Sequence, residues 1–279
     1  MPTFVADLNA LGGSPPTSLR AAALQALCLS NPAEKAATTR QLYEQRSDYR
    51  LDVNESLLEP QGIPGRPPLP RLVSPKDVPA RSPFTAEGRA ALLHSIAHIE
   101  FNAINLALDA VWRFGGMPED YYTDWLKVAS EEALHFTLLR DHLQTLGVQY
   151  GDFDAHDGLW SMTQSTASSI IARMALVPRT LEARGLDATP PIQAKLRRAG
   201  DARAVDILDI ILRDEVGHVA IGNHWYRWLC AREGLDAEAL YPDLVQRYFA
   251  PKLRPPFNLG ARRQAGFSEA ELTALEASH

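Results

Sequence analysis

Two short phrases, "EEALH" and "DEVGH", each place a glutamate three residues before a histidine. On a helix, positions i and i+3 share a face, so Glu132 with His135 and Glu215 with His218 can present an oxygen and an imidazole nitrogen to one point. Two further glutamates, Glu100 in "AHIEFNAI" and Glu182 in "RTLEARG", lie on faces that are otherwise apolar. A buried carboxylate is costly unless it is paired or bound to a cation. The order is therefore Glu, Glu-x-x-His, Glu, Glu-x-x-His, which is the ligand inventory of carboxylate-bridged two-metal helical bundles. Four carboxylates would balance two divalent ions, and the oxygen and imidazole donors suit iron or manganese. Each Glu-x-x-His is also preceded by an acid, Glu131 and Asp214. These two are candidates to hold the outward nitrogen of a ligating histidine.

The spacing tests this reading against chance. Glu100 and Glu132 are 32 residues apart, and Glu182 and Glu215 are 33 apart. In the first half, Glu100 precedes Gly115 by 15 residues and Glu132 follows Pro118 by 14. At 1.5 Å per residue both arms rise about 21–23 Å from the turn, so antiparallel helices would bring the carboxylates to one height. Small residues near the ligands, Ala97, Ala103, Ala129 and Gly222, fit either close helix packing or space for a small ligand.

The elements needed to position this set are legible. Thr85 is a helix cap, and the pattern then runs unbroken to Gly115-Gly116. A second helix opens at Pro118, with Glu119 and Asp120 in its first turn, and ends near Leu146 before Gly147. If the second and third helices run parallel, "GVQYGDFDAHDGLW" must cross the bundle, docked by Tyr150, Phe153 and Trp160, and the third helix starts near Ser165. Gly185 and Pro190-Pro191 are expected to break that helix just after Glu182 and to open one side of the site. A last long helix runs from Asp201 to about Cys230. No segment alternates like a strand. The fold expected is all-α: a four-helix bundle over 85–232, preceded by short helices and a wrapping segment over 1–84 and followed by a tail over 233–279. Pro60 to Pro79 carries seven prolines, which reads as an extended stretch.

Composition narrows the class. The net charge of −6 disfavours nucleic acid. Two distant cysteines, Cys28 and Cys230, argue against a disulfide framework or a thiolate metal site. No apolar run is long enough to span a membrane, and no leader pattern is evident, so a cytoplasmic protein is expected. Among other polar residues, His98 points away from Glu100, His142 lies about 10 Å further along its helix than His135, and His224 faces away from Glu215; all three read as packing residues. Arg179 is expected to pair with a carboxylate, and Arg247, Lys252, Arg254, Arg262 and Arg263 to form a solvated basic face. Tyr121 and Tyr122 lie some 15 Å from Glu132 along the helix, too far for a tyrosyl radical beside the metals.

The phrases "EGRAALLHSIAHIE", "YGDFDAHDGLW", "LVPRTLEARGLDATP" and "DEVGHVAIGNHW" resemble the DUF455 family, a group of unknown function within the ferritin-like di-iron superfamily. The resemblance extends from about Ala21 to Phe267. It implies a ferritin-like bundle with Glu100, Glu132, His135, Glu182, Glu215 and His218 as metal ligands. It is similar, more distantly, to tRNA hydroxylases, fatty-acyl desaturases and bacterioferritins. The function expected is an oxygen-activating oxidoreductase with two iron ions or a manganese–iron pair, acting on a small organic molecule with dioxygen. Electrons would come from an external donor, and the protein would be a monomer or dimer. The alternative is iron handling, as a ferroxidase or store, without an organic substrate.

Overall fold

A computed structural model describes residues 18–277. The extreme N-terminal stretch used to look for a leader lies outside the described residues. The described chain is all-helical; the only β-type pairing among the described residues is a bridge between Leu72 and Ala155.

Two short helices come first, α1 (Leu19–Cys28) and α2 (Pro32–Glu44). The Ser18 hydroxyl caps α1 by accepting from Ala21 N, and Asn31 caps α2 by accepting from Ala33 N and Glu34 N. They pack on the long helices α3 (Ala86–Arg113) and α4 (Glu119–Thr145) and share one hydrophobic core with them. Their polar side chains add anchors. Arg20 Nη2 donates to Trp112 O at 2.6 Å, satisfying a carbonyl at the end of α3. Lys35, fully buried, donates to Asn105 Oδ1 at 2.6 Å and to Gly65 O at 2.8 Å. Burial drives its ammonium down to about 7.

Thr85 caps α3 as its sequence position implies, its hydroxyl accepting from Gly88 N. The crossing segment after α4 lies where expected. Tyr150 stacks on His94 and packs edge-on against Phe136, His94 Nε2 accepts from Gly151 N at 2.9 Å, and Trp160 is buried. The proline-rich stretch runs beside it, with Arg66 bound to Asp157 and Arg71 to Asp154.

Two expectations need correction. The third rod begins at Ile170, not near Ser165; Gly158–Ser165 is a separate short helix, α5. Ser169 is the reason, because its hydroxyl accepts from Ala172 N and starts α6 (Ile170–Leu176). Nor do Gly185 and Pro190-Pro191 break the rod. After a π-helical turn over Val177–Glu182, α7 continues from Ala183 to Arg198 with both prolines inside it. Pro190 leaves the carbonyl four residues earlier without its amide partner, and that carbonyl, Leu186 O, accepts instead from Asn258 Nδ2 of the tail at 3.2 Å. A distant segment thus satisfies what Pro190 leaves open.

The last long helix, α8 (Ala202–Arg232), is capped by Asp201 and packs on α4, α6, the π-turn and α7. The tail forms α9 (Ala237–Arg247), α10 (Leu259–Gln264) and α11 (Glu269–Ala277). Arg262 departs from the expected solvated face: it is 1 % exposed and paired with Asp187 at 2.5 Å.

Candidate metal centre

Four helical elements deliver the candidate ligands to one buried place. Glu100 comes from α3, Glu132 and His135 from α4, Glu182 from the last position of the π-turn, and Glu215 and His218 from α8. All six are buried. One donor atom each from Glu100, Glu132, His135 and Glu215 lies within 4.8 Å of the others. Glu182 and His218 fall outside that group of four. His218 adjoins it through Glu132, and Glu182 is close enough to Glu215, Glu132 and His218 to alter its charge.

Glu132 occupies the middle. Its Oε2 is 3.3 Å from His135 Nδ1, and its Oε1 is 3.0 Å from His218 Nδ1. His135 Nδ1 is also 3.2 Å from Glu100 Oε2, and His218 Nδ1 is 3.8 Å from Glu215 Oε1. The cluster is thus two imidazole–carboxylate halves joined by one glutamate with an oxygen facing each half.

The outward nitrogens are held from the opposite helix. His135 Nε2 is 3.1 Å from Asp214 Oδ2 on α8, and His218 Nε2 is 2.9 Å from Glu131 Oε2 on α4. A carboxylate accepts only, so each Nε2 carries a proton toward its partner, and each Nδ1 faces the cluster. Asp214 is itself held by the neighbouring Arg213 at 2.8 Å.

The inward atoms fit a cation. Both oxygens of Glu182, Oε2 of Glu215, Oε1 of Glu132 and Nδ1 of His218 are buried without a hydrogen-bond partner. His218 Nδ1 and Glu132 Oε1 are close, but their alignment does not make a hydrogen bond. Buried acceptors are rarely left unpaired. These five atoms, all carboxylate oxygen or imidazole nitrogen, are of the donor types that suit hard or intermediate divalent ions.

The electrostatics follow from this crowding. Burial, and then repulsion from Glu132, pushes Glu100 well above the usual carboxylate range. Burial and the charges of Glu215 and Glu132 do the same to Glu182. Glu215 is raised by burial and by Glu132. Glu132 alone is held low: burial opposes ionisation, but contacts from His135 and His218 outweigh it. Burial also opposes charging of the histidines, yet Asp214, Glu100 and Glu132 drive His135 well up, and Glu131, Glu132 and Glu215 do so for His218.

The π-turn that ends at Glu182 has a local cause. Pro178 lacks an amide hydrogen, and the Thr180 hydroxyl donates to Ala175 O at 2.8 Å, taking up a carbonyl of the α ladder. Gly222 of α8 makes room for it: a Cβ there would lie 2.5 Å from Pro178 Cβ. The space at Gly222 is therefore used for packing. Gly185 differs, since a Cβ there would meet only Glu215 Cδ, at 4.0 Å.

The other polar candidates lie in separate contacts. His98 Nδ1 pairs with Tyr150 Oη at 2.8 Å, and His142 Nε2 with Asp201 Oδ1 at 2.9 Å. Arg179 is paired with Glu271, and His224 packs edge-on against Trp225. Sequence reasoning missed the π-turn; Pro178, inside an otherwise helical run, was the available signal.

The family model described as "Protein of unknown function (DUF455)" matches residues 28–273. A protein of Haemophilus influenzae, described as uncharacterized, is 52% identical over 258 residues, covering 88% of this chain and 90% of its own. No solved structure matches.

Proposed function

The chain belongs to the DUF455 family, and from that premise we propose that it is a ferritin-like four-helix bundle holding two metal ions, di-iron or manganese–iron, and using dioxygen to oxidise a small organic substrate. The observation that carries this reading is Glu132, set between two imidazoles with one oxygen toward each. A glutamate so placed would serve both halves of a site for two cations. Glu100 and His135 would hold one ion, Glu182 and His218 the other, with Glu132 and Glu215 between them. When bound, the pair would supply the electrons and Lewis acidity that dioxygen reduction needs.

The chain's own residues do the rest. Four carboxylates offset the charge of two divalent cations in a place closed to water. Asp214 and Glu131 fix both imidazole rings and their tautomers, which keeps the Nδ1 lone pairs on the cluster. Electrons for repeated turnover would come from an external donor.

The test is anaerobic loading of the full chain with Fe(II), with ions counted per chain, magnetic coupling read by Mössbauer spectroscopy, and oxygen uptake then followed. Two coupled ions per chain are expected, with uptake that stops after one turnover unless a reductant is supplied. Glu132→Ala should abolish the coupling. Binding of one isolated ion, or of many ions per chain in a large hollow assembly, would defeat the proposal; the latter would mean storage.

A further inference from the structure

Outside the metal cluster, α9, α11 and the π-turn enclose a cavity of about 900 Å³. Its walls are mostly apolar, including Tyr241, Val245, Leu253, Phe267 and Ala274. At its rim stands Phe249, 90 % exposed and held at φ +52°, a left-handed conformation that a bulky residue rarely adopts. An exposed aromatic in a strained backbone, at the mouth of an apolar cavity of ligand size, marks a binding site.

The charge around the cavity sets the ligand's class. Arg262 is neutralised by Asp187. Lys252 and Glu238 offset one another on the lining. Glu271 is shared between Arg179 and Arg227, so one carboxylate faces two guanidinium groups and one positive charge is in excess. The excess has an address. Arg179 is 2 % exposed, its Nε donates to Asn223 Oδ1 at 2.9 Å, and its Nη2 is bound to Glu271, while its Nη1 has no acceptor. The guanidinium is covered by the rings of Tyr241 and Phe267, with centroids 4.5 and 5.0 Å away. Both rings are walls of the cavity and only partly buried, so a head group that reached Nη1 would have to turn them aside.

We propose that this cavity binds a small amphipathic monoanion, a hydrocarbon body ending in one carboxylate, with the carboxylate on Arg179 and the body along α9 and α11. The site is independent of the metal assignment, since none of the six candidate ligands lines it. A dianion would exceed the single free charge, and an uncharged chain would leave Nη1 without its acceptor.

The test is calorimetric titration of the full chain with decanoate, decanol and decylamine. Decanoate should bind saturably, once per chain. Decanol should bind at least about tenfold more weakly, for want of the charge-assisted hydrogen bonds, and decylamine more weakly still. Ala274→Trp, which fills the cavity from an exposed helix position and leaves Arg179 intact, should abolish binding. Equal binding of decanoate and decanol, decanoate binding unchanged in Ala274→Trp, or no saturable binding at all would each overturn the proposal.

Discussion

Loading the cluster with metal should expel protons. Glu100, Glu182, His135 and His218 are all driven well above their ordinary values, the carboxyls by burial and neighbouring acids, the imidazoles by surrounding carboxylates that outweigh burial. These four ligands, and Glu215, which is also raised, hold their protons to higher pH than ordinary carboxyls and imidazoles do. Metal ligands must give these up. Chelator-treated protein, titrated anaerobically with Fe(II) in weak buffer at neutral pH with a calibrated indicator dye, should release protons as the ions load. The same groups set a stability slope. Each keeps its proton to higher pH in the folded chain than in the unfolded one, so without metal the stability is full below the unfolded values, 4.5 for Glu and 6.5 for His, and falls as pH rises through the raised ones. The slope is about 1.4 kcal/mol per pH unit for each excess proton. Glu132 and Asp214, held low in the face of burial by their histidine contacts, act oppositely but only on acidification below the ordinary carboxylate range. With metal in excess the slope should reverse, because ions then compete with protons. Release of fewer than about one proton on loading, or a flat stability profile from mildly acidic to neutral pH without metal, would refute the reasoning.

Two other perturbations follow. Glu131→Gln and Asp214→Asn each weaken the hold on one histidine, and each should lower metal affinity about 10–100-fold in competition with a chelator; unchanged affinity in both would contradict their orienting role. Asp109 is fully buried between Arg173 and Arg113, so Asp109→Ala leaves a buried guanidinium unpaired and should cost about 3–5 kcal/mol in urea unfolding. A cost below about 1 kcal/mol would mean that Arg173 finds other acceptors.

Much of the candidate site was legible because helices write their geometry into sequence. A residue and its partner three positions on share a face whatever surrounds them, so "EEALH" and "DEVGH" declared their paired donors, and the breaker at Gly115-Gly116 fixed the height of Glu100 against Glu132. Caps at Thr85 and Asp201 were readable for the same local reason. The start of the third rod was misplaced because Ser165 and Ser169 are alike as local signals, and only Ser169 caps a helix. Arg262 looked like surface charge because its partner, Asp187, lies 75 residues away in sequence.

By itself the sequence determined the all-helical class and which side chains could converge, since hydrogen bonds along one helix and the angle between neighbouring residues depend on nothing distant. Tertiary structure supplied the contacts themselves, Glu131 with the histidine of α8 and Asp214 with that of α4. It also decided that two prolines could remain inside α7 and that a glycine of α8 would be filled by Pro178. Each of these depends on a group brought in from another helix or from the tail, and a buried polar or bulky group takes whatever partner the packing supplies.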